Sequence, residues 1–129
     1  MECTEDAFRA AVKTHMKYGT TSIFPTLSSS TVPMIEQAAE TCTKLMEEKD
    51  SPILGLHLEG HYLNMAMAGG QIPENIKSPD PNEYIPIVET WSCIKRWDAA
   101  PELPGAMQFG KIHHRQRYLG IGSPYASGV

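Results

Sequence analysis

The run Ile53-Leu54-Gly55-Leu56-His57-Leu58-Glu59-Gly60 constrains the fold of this chain more than any other segment. It is almost continuously apolar, it ends in a carboxylate, and a glycine then frees the backbone to turn. With so few polar alternations, Ile53 to Leu58 predicts a strand covered on both faces, which is the habit of parallel sheets. The preceding pattern agrees. About Val32 to Lys49, the residues Ile35, Ala38, Ala39, Cys42, Leu45 and Met46 share one stripe, while Glu36, Glu40, Lys44 and Glu48 lie elsewhere, as on a helix with a solvated face. Before it, Thr20 to Phe24 is β-branched and aromatic and predicts a buried strand stopped by Pro25. Strand, helix and strand at this spacing imply a parallel pair joined by a right-handed crossover.

The flanking segments extend the pattern. Thr4 is placed to cap a helix with Phe8, Val12 and Met16 on its apolar side, ending at Gly19. Tyr62 to Pro81 is a Gly- and Pro-rich connection, long for an ordinary βα loop and so a candidate for ligand contact. Pro81 opens a helix bearing Tyr84, Ile85, Val88 and Trp91, and Cys93 to Asp98 is a third strand. The order α-β-α-β-loop-α-β suits a slice of a parallel α/β barrel better than a sandwich or a bundle.

Three motifs occur in one order: Tyr18-Gly19-Thr20-Thr21-Ser22-Ile23-Phe24-Pro25-Thr26, the segment from Gly55 to Asn64, and Ala100-Pro101-Glu102. Together, over roughly residues 1 to 111, they resemble the N-acetylglucosamine-6-phosphate deacetylase family of the amidohydrolase superfamily. The resemblance implies a metal-bearing (β/α)8 barrel. About 250 residues is typical of such a barrel, and this chain has 129. The expected fold is therefore a partial (β/α)8 TIM barrel of about half the usual extent, in residues 1–111.

From the residues alone Glu59 reads two ways, as a carboxylate paired near a loop or as a hard oxygen ligand at the carboxyl end of a strand, where barrels keep their chemistry. The resemblance, through a motif like His-Leu-Glu-Gly-Pro, assigns Glu59 to a divalent metal, zinc or iron. His61 stands where the family has proline. His57, Glu59 and His61 alternate, but Gly60 is expected to end the strand, which leaves His61 in a loop and His57 packed in the core. By the same resemblance Asn64 and Gln71 are the substrate-side candidates, Gln71 standing where the family has a histidine, and Glu102 is structural. The implied reaction is hydrolysis of N-acetylglucosamine 6-phosphate to glucosamine 6-phosphate and acetate. The implied partner is a small amino-sugar phosphate, and the family's full-length enzymes are expected to be homo-oligomers. No catalytic residue is expected within the chain, because the family's aspartate lies on a later strand; the chain alone is expected to be inactive.

The resemblance stops after Lys111, and the family gives no role to His113, His114, Arg115 or Arg117. Regrouping the codons by one base there permits Tyr-Ile-Thr-Ala-Lys-Gly-Ile-Leu-Ala-Ser and then His-Pro-Thr-Gln-Ala-Glu, both family-like. Residues 112–129 are accordingly expected to be an out-of-frame tail. The rival reading is a self-standing α/β binding module for a sugar phosphate or nucleotide. Its one supporting feature, Gly69-Gly70, lacks the P-loop and GxGxxG patterns.

Composition narrows the partners. A net charge of −4, with charged residues dispersed, supplies no basic patch for nucleic acid. No apolar run approaches the roughly 18 residues of a membrane helix, and no secretory leader is recognised. Cys3, Cys42 and Cys93 are too widely spaced for a zinc motif and odd in number, which suggests buried thiols in a reducing cytoplasm.

Overall fold

The computed structural model describes residues 3–115 and 119–122. Helices α1 (Glu5–Lys17), α2 (Val32–Met46), α3 (Pro81–Thr90) and α4 (Ala106–Arg115) alternate with strands β1 (Thr26–Ser28), β2 (Leu56–Glu59), β3 (Ile94–Ala99) and β4 (Leu119–Gly122). The four strands form one sheet in the order β1-β2-β3-β4, every pair parallel. Each strand is thus laid beside its predecessor in chain order, with a helix in each connection. Part of the expected out-of-frame segment enters this framework, through the end of α4 and through β4; residues 116–118 and 123–129, including Arg117, lie outside the described residues.

Local chemistry explains the helix boundaries. The Thr4 side chain accepts from the Ala7 amide at 3.3 Å and caps α1. Asp80 does the same for α3, accepting from Asn82 at 2.9 Å, with Pro81 at the first helical position, where its missing N–H costs nothing. The stripe of α2 is as expected: Ile35, Ala38, Ala39, Cys42 and Leu45 are all buried. In α1 only Phe8 and Val12 reach the core. Met16, expected on the same apolar side, is 46 % exposed.

The first strand departs from expectation. Thr20 to Phe24 is not a strand; Pro25 precedes one. Ile23 forms a single parallel bridge with Ile53, and the paired strand begins at Thr26. Proline has no N–H to give the ladder, but the Pro25 carbonyl accepts from the His57 amide at 3.0 Å, so the proline interrupts the pairing without ending it. The second strand is likewise shifted toward its carboxyl end, to Leu56–Glu59.

The sheet has two unlike faces. Leu27, Leu58 and Trp97 occupy one row of the register and are buried, and Leu56 beside Ile94 continues that layer. The opposite face carries Thr26, His57 and Arg96 in one row and Ser28, Glu59 and Asp98 in the next. The expectation that β2 would be covered on both sides is therefore corrected. Its pattern alternates, buried at Leu56 and Leu58 and half-buried at His57 and Glu59. His57, expected in the core, faces the polar side, since its neighbours Leu56 and Leu58 are the ones turned into the core.

Truncating the centre of this core should be costly. Leu58→Ala is expected to lower unfolding free energy by about 2–5 kcal/mol in urea titrations, whereas Leu54→Ala, at a residue 48 % exposed, should stay within about 0.5 kcal/mol. Equal losses from the two variants would contradict the assignment of the buried face.

Candidate functional site

Glu59 ends β2 on the polar face, level with Ser28 of β1 and Asp98 of β3. One row lower, two residues back along β2, His57 lies between neighbours on both sides. Its Nδ1 is 3.0 Å from Thr26 Oγ1, and its Nε2 is 3.1 Å from Asp98 Oδ2, in contact but off the line of a hydrogen bond. Asp98 also accepts from Arg96 Nε at 3.0 Å. The polar face is thus crosslinked beneath Glu59 by side chains from three strands.

The turn after Glu59 is held through three successive carbonyls. Gly60 O accepts from the Trp97 indole at 3.2 Å, His61 O from the Lys77 amide at 3.0 Å, and Tyr62 O from the Ala100 amide at 2.8 Å. Gly60 has φ +76, a left-handed conformation that favours glycine, and a Cβ there would also have to displace the Leu63 side chain, 2.6 Å away. The side chains are fixed as firmly. Tyr62 stacks on Trp97 with ring centroids 5.3 Å apart, and Phe109 and Tyr84 close around them edge-on.

His61, expected in a loop, does follow the strand, but it is 1 % exposed. Its Nε2 lies 2.8 Å from Glu83 Oε1, the same oxygen that accepts from the Tyr62 hydroxyl at 2.9 Å, and Lys77 pairs with the other Glu83 oxygen. Burial pushes the His61 imidazole below its ordinary value against the pull of Glu83. Burial would raise Glu83, but the hydrogen bonds from Lys77, Tyr62 and His61 outweigh it and hold the carboxyl low. Burial, then Glu83, pushes the Tyr62 phenol up, so it remains a donor.

The two loop candidates are separated. Asn64 caps a short 3-10 turn, its Oδ1 accepting from Ala66 at 3.0 Å, and its amide nitrogen donates to Glu102 at 3.0 Å. Gln71 is bonded by the Ser29 hydroxyl just beyond β1, and Ser29 also accepts from the Ile72 amide at 2.8 Å. Glu102 meets the loop through Asn64 and is exposed. His114 is exposed on α4. Sequence reasoning missed Glu83, Lys77, Trp97 and Asp98. The first two are distant in sequence from the turn that they hold, and only the position of Glu83 three residues after the capping Asp80 marked it, as a capping residue. Asp98 had a readable signal, since it takes up the row of Glu59 if the two parallel strands end together.

Glu59 by itself does not make a metal site. A divalent ion held by protein commonly needs three or more ligands, and among the described residues no three His, Cys, Asp or Glu side chains converge. The described donor set does not fit a metal on its own.

The titrations of the clamp have one sign. Folded His61 resists the proton that an unfolded imidazole takes up near 6.5, so stability falls as pH drops through that value. The low Glu83 carboxyl stabilises the fold above its ordinary 4.5, and that contribution is lost as pH falls further. The urea midpoint should therefore decline steadily from about pH 7 to about pH 4. His61→Gln should flatten the upper part of that decline; an unchanged slope would remove His61 from the account.

No family model matches the chain. It is 22 % identical over 125 residues to an N-acetylgalactosamine-6-phosphate deacetylase of Shewanella sp. (strain ANA-3), covering 97 % of this chain and 32 % of the relative. It is 29 % identical over 92 residues to an N-acetylglucosamine-6-phosphate deacetylase of Haemophilus influenzae, covering 71 % of this chain and 24 % of the relative. The chain thus spans about a third or less of the length of the curated relatives it matches. In fold it superposes, with a TM-score of 0.84 at 22 % identity, on a mutant N-acetyl-D-glucosamine-6-phosphate deacetylase of Mycobacterium smegmatis solved with N-acetyl-D-glucosamine-6-phosphate, covering 94 % of this chain and 32 % of that one. Sequence and fold point the same way: over most of its length the chain is similar to one part of the N-acetylglucosamine- and N-acetylgalactosamine-6-phosphate deacetylases.

Proposed function

We propose that this chain is part of a metal-dependent amidohydrolase barrel that removes acetate from N-acetylglucosamine 6-phosphate in amino-sugar catabolism, leaving glucosamine 6-phosphate. The observation that carries the reading is Glu59. It stands at the carboxyl end of a parallel strand, on the polar face of a sheet whose strands follow one another in chain order, in a fold shared with part of a deacetylase. A closed barrel would turn that polar face inward, and Thr26, His57, Arg96 and Asp98 would then lie beneath the site.

In this reading Glu59 is one ligand of a divalent metal, zinc or iron, and the remaining ligands come from outside the described residues. The metal would supply Lewis acidity and a nucleophilic water. Asn64 and Gln71, on the connection above the strand ends, would contact the amino sugar. Glu102 would support Asn64. Residues 1–111 form the barrel portion, and residues 112–129 are read as out of frame. The reading places the enzyme in the cytoplasm as a homo-oligomer, and no helix among the described residues is long and apolar enough to cross a membrane.

Acetate release from N-acetylglucosamine 6-phosphate tests the proposal. The 129-residue chain should release none. A product extended upstream of Met1 and restored in frame after Lys111 should turn the substrate over, and Glu59→Ala in that product should lose bound metal and rate together. Unchanged metal content and turnover after the substitution would overturn the assignment of Glu59. Nucleotides around codons 105 to 129 that leave no family-like alternative frame would overturn that of the tail.

A further inference from the structure

Ser29 is bonded to three residues of the connection after β2. It stands just beyond β1, directly after Ser28, the residue that pairs with Glu59. Its Oγ accepts from the Ile72 amide at 2.8 Å, its hydroxyl donates to Gln71 Oε1, and its carbonyl accepts from the Asn75 side-chain amide. Ser29 is 6 % exposed, and its backbone has φ +50, a left-handed conformation uncommon for a residue with a β-carbon. Such a conformation persists where the surrounding bonds over-determine it, and it clusters at ligand clamps.

The proton count at Ser29 fixes which way the Gln71 amide faces. A hydroxyl carries one proton and two acceptor lone pairs. With the Ile72 N–H on one lone pair, the Ser29 proton has Gln71 Oε1 as its acceptor, and turning the amide over would take that acceptor away. The backbone of Gln71 is held as well, its N–H donating to the Ala68 carbonyl at 3.0 Å. What the half-buried side chain has left to offer is Nε2, with two N–H donors, no acceptor and no partner among the described residues.

We propose, on the reading of Gln71 as a substrate contact, that Ser29 is the positioning residue which latches the Gln71 amide with its N–H end free, so that Gln71 donates to an oxygen of the amino sugar and accepts nothing from it. An unlatched amide would present its carbonyl and its N–H in turn and favour neither donors nor acceptors. Latched, it selects an acceptor. The latch stands one residue past the row that contains Glu59, which sets the amide over the strand ends where the ligand is expected.

Two substitutions separate the latch from the contact. Gln71→Glu keeps an acceptor for the Ser29 hydroxyl but removes both N–H donors, whereas Ser29→Gly suits the positive φ and removes the hydroxyl. In the 129-residue chain, hydrogen exchange at the Ile72 amide should stay slow in Gln71→Glu and quicken in Ser29→Gly. In the enzyme extended upstream of Met1 and restored in frame after Lys111, Gln71→Glu should raise KM for N-acetylglucosamine 6-phosphate about tenfold, the effect of one lost hydrogen bond, with kcat little changed. Ser29→Gly should raise KM in the same way, by several-fold. The double variant should be no worse than Gln71→Glu alone, since Ser29 acts only through Gln71, whereas independent defects would multiply. Unchanged KM in Gln71→Glu, multiplied losses in the double variant, or Ile72 exchange indifferent to Ser29→Gly would each overturn the proposal. If Ser29→Gly does not fold, Ser29→Ala, which keeps the backbone of serine and removes only the hydroxyl, takes its place. A restored wild-type enzyme that releases no acetate fails before any substitution is made; that result overturns the deacetylase reading, and the latch as a substrate-positioning device falls with it.

Discussion

The face-to-face contact of Tyr62 with Trp97 is the interaction on which the arrangement around Glu59 depends. Trp97 belongs to β3, and its indole holds the carbonyl of Gly60. Tyr62 lies just beyond that glycine, and its own carbonyl is held by Ala100 at the end of β3. The strand bearing Glu59 and its neighbour are thus fastened together at the point where both end. Phe109 of α4 and Tyr84 of α3 pack against the same pair, so two helices are referenced to the turn as well. Aromatic rings suit the purpose, because they combine large buried area with edge and face preferences that fix orientation.

Around this anchor the molecule separates its polar requirements. The helix-facing layer is almost wholly apolar, while His57, Glu59, Arg96 and Asp98 of β2 and β3 lie on the opposite face and a second polar cluster, from α3 and the connection after β2, gathers around Glu83. Glu83 is where the separation is tightest. A half-buried carboxylate meets an imidazole, a phenol and an ammonium, each a donor to it, and a buried polar group with that many partners orders its surroundings. On the surface, by contrast, the Lys44–Glu5 pair that connects α1 with α2 and the Arg9–Glu48 pair that ties α1 to the turn after α2 are exposed, and such pairs contribute little.

Periodic features were legible in the sequence. The stripe of α2, the cap at Thr4, the start of α3 at Pro81 and a strand ending at Glu59 all follow from spacing and residue type. What escaped depended on chain segments brought together by folding. Pro25 was read as a stop because its ring denies a donor, yet a parallel neighbour needed only its carbonyl. The alternation of β2 was obscured because position 57 carries a histidine, whose ring serves equally in a core or on a polar face. His61 read as a loop residue, and its burial rests on Glu83, 22 positions away. Around the candidate site, the place of Glu59 at a strand end was legible, whereas the groups that fix its surroundings were not.

The long connection after β2 is moored at both ends of its central part. Asn64 is tied to Glu102 beyond β3, while Gln71 and Asn75 are tied to Ser29 beyond β1. The connection therefore bridges the strand ends from one side of β2 to the other, and the span between these moorings, residues 65–70, bonds to its own neighbours. Met65 and Met67 stand in that span, both about half exposed. A solute approaching the strand ends meets a short arch of soft, unbranched side chains with fixed feet, and the opening it offers is set by how far two serine- and carboxylate-bound amides stand apart.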